Sequence, residues 1–167
     1  MKITLNEAEV RLAKFLGKHR RKNGEKGILD RQIGKQDKLF IDVNGMGGEI
    51  AVARYLNVYP DTSISPRSGG HDLVFRDRRV DVKTTEYMGG RLLAAKHKDH
   101  CAAEIYVLVI GSLPTYTIVG WTTAAQLLRE SMLKDLGHGQ GYAMDRGDLF
   151  PMWSIYSIKP GDETAAA

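Results

Sequence analysis

The sequence predicts an α/β layered domain, and three observations predict it. Apolar residues recur at helical spacing near the N-terminus, a β-rich stretch follows, and residues 105–110 form a continuous apolar, mostly β-branched run. Such a run suits a strand covered on both faces, in a mixed or parallel sheet. The length of 167 residues fits one domain.

Taken in order, Thr4, Leu5, Asn6 and Glu7 have the capping-box pattern. Leu5, Ala8, Leu12, Phe15, Leu16 and His19 follow at helical spacing, which predicts a helix over residues 6–22, ended by Asn23 and Gly24. Residues 23–38 are polar and aperiodic and read as a loop. The glycine-rich stretch 45–48 reads as a flexible lead into a second helix over 47–56, ended by Asn57 and Pro60.

The β-rich stretch predicts short strands at 64–67, 72–75 and 79–85, with a hairpin turn at 76–78 and a break at Gly89 and Gly90. After the 105–110 run come a strand at 116–121 and a Thr122-capped helix at 122–133. A flexible loop at 137–141 and a final strand at 153–158 follow. The tail from Gly161 is expected to fray.

The formal net charge is +4, with 43% hydrophobic and 26% charged residues, a globular balance. Residues 11–38 hold ten Lys/Arg against three acids, so the rest of the chain is net negative. A polyanion would meet this field first, through Lys18, Arg20, Arg21 and Lys22 among others. The alternative is a solvated helix face with a basic loop. No apolar stretch approaches the roughly 20 residues of a membrane span. With no signal-like core at its start, the chain reads as cytosolic, without a membrane partner. Its one cysteine, Cys101, excludes an internal disulfide. It reads as a small core residue rather than a nucleophile.

The most informative pattern lies at residues 72–85. Side chains alternate along a strand, so Asp81, Lys83 and Thr85 share one face, and Val80, Val82 and Thr84 the other. A hairpin about 76–78 would set Asp72 opposite the region of Lys83, within diagonal reach of Asp81. Two carboxylates suit Mg²⁺, which takes oxygen ligands and keeps several waters, and the Val82 backbone carbonyl would add a donor. The plainer alternative is a surface salt bridge, worth about 0–1 kcal/mol.

Three segments together resemble the PD-(D/E)XK, or restriction-endonuclease-like, nuclease superfamily, most of all its small phage-type members. They are Gly48 to Leu56 (GEIAVARYL), Gly69 to Val74 (GGHDLV) and Val80 to Thr85 (VDVKTT). The resemblance covers residues 44–121, and its specificity comes from order and spacing. It implies an α/β/α sandwich with a mixed central sheet around a restriction-endonuclease-like core, forming a single nuclease domain. It implies a Mg²⁺-dependent deoxyribonuclease, with Mn²⁺ as a substitute, acting in the host cytoplasm if phage-encoded. Glu49, Asp72 and Asp81 would bind metal and Lys83 would be the catalytic lysine. His71 precedes Asp72 where the superfamily commonly has proline. An inactive nucleic-acid-binding or assembly module and an RNA-directed nuclease remain the alternatives, and cutting both strands would call for a homodimer.

Further candidates flank this set. His71 and Thr85 are placed to meet a phosphate, or to serve as turn and strand residues. Lys96, His97, Lys98 and His100 form a basic cluster that would line a nucleic-acid groove or a solvated helix face. Tyr87, Trp121 and Tyr142 would stack bases or fill the core.

Overall fold

In the computed structural model, the described residues are 1–24, 37–64, 70–98, 102–137 and 139–158. The chain opens with a short strand, β1 (Lys2–Thr4), that the sequence did not announce. It pairs antiparallel with a later strand, Ile3 opposite Tyr116, so Thr4 ends a strand instead of capping a helix. The capping box lies two residues further on. The Asn6 N–H donates to Glu9 Oε2 (2.7 Å) and Asn6 Oδ1 accepts from the Glu9 N–H (2.9 Å). Helix α1 (Glu7–Gly24) follows, close to expectation.

Helix α2 (Lys38–Leu56) starts nine residues before its expected start. Asp37 caps it, accepting from the Leu39 N–H at 3.0 Å, and Asn57 ends it in the left-handed conformation, φ 54°. The glycines read as a flexible lead are helical, and their use is close packing. A β-carbon on Gly47 would strike the Tyr116 ring, and one on Gly48 would strike the Thr84 hydroxyl. Gly17 plays the same part between the helices, where a β-carbon would lie 2.7 Å from Val43 Cα.

Gly48→Ala is therefore expected to destabilise the fold by roughly 1–3 kcal/mol despite alanine's better helix propensity. Denaturant titration beside Thr84→Ala and the double variant checks this. The second substitution removes the clashing hydroxyl and should recover part of the loss.

The central sheet holds five strands in the order β1-β6-β5-β3-β2. They are β2 (Leu73–Phe75), β3 (Arg78–Thr85), β5 (Ile105–Ser112) and β6 (Thr115–Thr123), with β1 at one edge. Strands β3 and β5 run parallel and the other pairs are antiparallel, so the sheet is mixed, as the sequence suggested. The β2–β3 turn is Arg76 and Asp77, both at positive φ (49° and 63°), the geometry of a type I′ hairpin. Neither residue relaxes there as glycine would. Asp77→Gly should thus raise stability by about 1 kcal/mol, seen as a melting temperature about 2–4 °C higher.

One face of the sheet is covered by α1 and α2. Leu16, Met46, Ile50 and Val52 pack there with Val80, Val82, Val107 and Ile118. The other face departs from a helical third layer. It carries a three-stranded sheet, β4 (Leu92–Ala95), β8 (Gln140–Met144) and β7 (Leu133–Asp135), in that order. Beside it sits the four-residue helix α3 (Ala124–Leu127), capped by Thr123. The helix expected over 122–133 stops after one turn, because β6 runs on through Thr123 and the chain then turns at residues 130–132 into β7. Of the loop expected at 137–141, Gln140 and Gly141 are instead in β8, and residue 138 lies outside the described residues. In place of the strand expected at 153–158, residues 152–157 form a 3-10 helix whose Met152 and Ile155 seal the first face. Of the strand expected at 64–67, Ile64 is not in a strand and the rest lies outside the described residues, as do His100, Cys101 and the tail from Gly161. The chain is thus mixed α/β. Among the described residues no helix is long and apolar enough to cross a membrane.

Candidate active site

The β3–β5 register decides which face each candidate uses. Asp81 pairs with Tyr106 and Lys83 with Leu108, while Val80 and Val82 pair with Ile105 and Val107. Tyr106 and Leu108 belong to the cluster under the small sheet, and Ile105 and Val107 to the cluster under the helices. Asp81 and Lys83 therefore share the face turned away from α2, as alternation predicted.

Asp72 stands where the β2 ladder runs out. Its N–H donates to the Val80 carbonyl (2.8 Å), and its Oδ2 accepts from the Val82 N–H (2.7 Å). The carboxylate stands in for the next main-chain acceptor at that edge of β3. These two bonds straddle Asp81, so Asp72 sits beside Asp81 rather than opposite Lys83. The two-residue turn, shorter than the expected 76–78, accounts for the shift. In a strand a residue's carbonyl leaves by the same edge as its N–H, which sets the Val82 carbonyl on the edge that Asp72 occupies.

Both aspartates are buried, Asp72 5% and Asp81 2% exposed. Burying a carboxylate demands compensation. For Asp81 it comes from two ammonium groups. Lys83 Nζ lies 2.5 Å from Oδ1 and Lys98 Nζ 2.9 Å from Oδ2. Only the Lys98 contact has hydrogen-bond geometry; Oδ1 takes no hydrogen bond among the described residues. Lys98 also donates to the Gly70 carbonyl at 2.9 Å. The side chains of Lys83 and Lys98 are 34% and 20% exposed, so the site opens to solvent through its lysines.

Glu49 is buried on α2, and Arg20 Nη1 reaches its Oε2 at 3.1 Å. Arg20 also donates to the carbonyls of Asp61 (2.6 Å) and Ser63 (2.9 Å). Expected on the phosphate-gripping surface, Arg20 is instead turned inward, its side chain 11% exposed. Arg21 pairs with Asp42 at 3.2 Å. Lys18 and Lys22 are exposed.

Of the remaining candidates, His71 is half-buried beside Asp72. The Thr85 hydroxyl accepts from the Tyr87 N–H at 3.3 Å. Lys96, in the turn after β4 rather than on a helix, is exposed and donates to Gln140 at 2.6 Å. Tyr87 is 64% exposed, whereas Trp121 is buried, its indole N–H donating to Ser154 Oγ at 3.1 Å.

Glu104, at the start of β5, supports the same corner of β3. It accepts from the Arg79 N–H (2.7 Å) and Nε (3.1 Å). Burial pushes its carboxyl upward, but these hydrogen bonds and the charges of Arg79 and Arg78 outweigh that and hold it below the usual carboxylate range.

The donor set bears on which ion could bind. Asp81 Oδ1 is a buried oxygen without a hydrogen bond, and Asp72 is its carboxylate neighbour. Two carboxylates suffice for an ion that keeps its waters. Among the described residues no group of three or more His, Cys, Asp or Glu is placed to hold a metal. Comparison of the chain with family models, with curated proteins and with solved structures returns no match.

Proposed function

We propose that the chain is a metal-dependent nuclease acting on DNA phosphodiester bonds, on a restriction-endonuclease-like core. The observation that supports this reading is the meeting of buried Asp72, just before β2, with buried Asp81 on β3, the Lys83 ammonium lying 2.5 Å from Asp81. Asp72 and Asp81 would hold Mg²⁺ or Mn²⁺, aided by the Val82 carbonyl. When bound, such an ion polarises the scissile phosphate and lowers the pKa of a coordinated water. Lys83 orients the attacking water and offsets the negative charge that grows on the phosphoryl oxygens. Asp81 in turn fixes where that ammonium stands. Exposed Lys18 and Lys22 meet backbone phosphates, a contact that is independent of sequence and weakened by salt. Glu49 and Arg20 act one layer back, holding α2 against the 61–63 segment.

A second reading, a nucleic-acid-binding or assembly module that does not cut, is favoured by one observation. Asp81 is met on both oxygens by lysines and Glu49 by Arg20. Incubation of the purified chain with Mg²⁺ or Mn²⁺ and linear, nicked, single-stranded or branched DNA separates the two. The nuclease reading expects cleavage that disappears in Asp72→Ala and Lys83→Ala. Binding without cleavage of any substrate would support the module, and cleavage of RNA in preference to DNA would move the assignment to an RNA-directed nuclease.

A further inference from the structure

Lys98 was expected to line a nucleic-acid groove, and the fold gives it a different position. It follows the turn after β4, where its N–H donates to the Ala95 carbonyl at 2.9 Å. From there its side chain crosses to β3 and places one ammonium 2.9 Å from both the Gly70 carbonyl and Asp81 Oδ2. Two oxygens from separate segments thus converge on a single positive group. One is a main-chain carbonyl two residues before Asp72, and the other belongs to a carboxylate that is 2% exposed.

A carboxylate and a carbonyl are the donors that hard divalent ions take. An ammonium is itself a compact, strongly hydrated cation on a flexible four-carbon stem, so it can hold such a position and also leave it for water. The 20% exposure of the Lys98 side chain gives it that way out. Lys83, by contrast, holds the other oxygen from β3 itself.

We infer that Lys98 is a built-in competitor for the divalent ion: its ammonium holds the cation position defined by Gly70 O and Asp81 Oδ2, and metal loading displaces it. The site is then charge-balanced without metal and responds to divalent-ion concentration. This rests on the reading of Asp81 as a metal ligand.

The test is Mn²⁺ binding to the full chain without DNA, followed by loss of the free-ion paramagnetic resonance signal. Wild type, Lys98→Met, Lys98→Gln and Asp81→Asn are compared. Removing a like charge in contact with the ligand should tighten Mn²⁺ binding at least about tenfold in both Lys98 variants. Asp81→Asn should abolish it. Without metal the Lys98 variants should melt below wild type, and Mn²⁺ should raise their melting temperature more than that of wild type. The glutamine variant keeps a hydrogen-bond donor and serves if the methionine variant does not fold. Equal or weaker Mn²⁺ affinity in a folded Lys98 variant, or no Mn²⁺ binding by any of the proteins, overturns the inference. A parallel cleavage assay separates the two claims. Cleavage by wild type with Mn²⁺ affinity unchanged in the Lys98 variants removes only the competitor role. Tighter binding with no cleavage of any nucleic acid removes only the nuclease reading.

Discussion

Replacing Asp81 with asparagine is expected to lower metal-dependent DNA cleavage by about a thousandfold or more, equivalent to about 4 kcal/mol in the activation barrier. The amide keeps the shape of the side chain and removes its charge. Two consequences follow from the geometry. On the proposed reading a bound metal would lose an anionic ligand, and Lys83 loses the group that fixes its ammonium at 2.5 Å. Both act on the chemical step, so kcat should fall more than KM rises. The fold should persist, because Lys83 and Lys98 are partly exposed and can turn to water. Single-turnover cleavage with matched circular dichroism spectra checks this. Activity within tenfold of wild type would show that Asp81 serves the fold and not the reaction.

Arg20→Met should have the largest effect on stability, a loss of about 3 kcal/mol. The Arg20 and Glu49 side chains are only 11% and 7% exposed. Removing one partner of a buried pair strands the other charge, which costs about 3–5 kcal/mol when nothing replaces it. Arg20 also binds the carbonyls of Asp61 and Ser63, so the 61–63 segment should loosen. Urea unfolding of Arg20→Met, Glu49→Gln and the double variant measures the coupling. The double variant should be less destabilised than the sum of its parts. An unchanged midpoint in Arg20→Met would return Arg20 to the surface role its place in the basic segment suggested. On the proposed nuclease reading, Lys18→Ala and Lys22→Ala should each reduce the salt slope of DNA binding by about 1.

What could be read in advance followed from local chemistry. The 105–110 run, the alternation at 79–85 and the helical spacing at 6–22 each reflect a periodicity that burial enforces, and each element formed close to its expected bounds. Failures occurred where a residue's partner is distant in sequence. Gly47 and Gly48 look like helix breakers until Tyr116 and Thr84 arrive against them. Lys2–Thr4 becomes a strand only because β6 offers it an edge. Residues 124–135 split into a helical turn, a 3-10 turn and a strand because β8 pairs with their second half.

The candidate site divides in the same way. Asp81 and Lys83 share a face through alternation alone, whereas Asp72 stands beside Asp81 instead of opposite Lys83 because the hairpin turn is one residue shorter than its spacing suggested. Glu49 was expected beside them on the strength of a resemblance, and what no local signal announced is its ion pair with Arg20. Lys98 and Arg20 both looked like surface cations in a basic stretch. No local signal marks Lys98 as the partner of Asp81, since the contact exists only because the chain after β4 folds back onto β3. For Arg20 the reversal follows from the packing of α1 on α2 and the 61–63 segment.

Whether Asp72 and Asp81 hold one divalent ion is read directly from an anomalous difference map of crystals soaked in Mn²⁺. A metal held by this site gives a peak at coordination distance from the carboxylates of both Asp72 and Asp81, with the Lys98 ammonium drawn away from Asp81. Well-ordered carboxylates with no peak between them at saturating Mn²⁺, and Lys98 still 2.9 Å from Asp81, would contradict it.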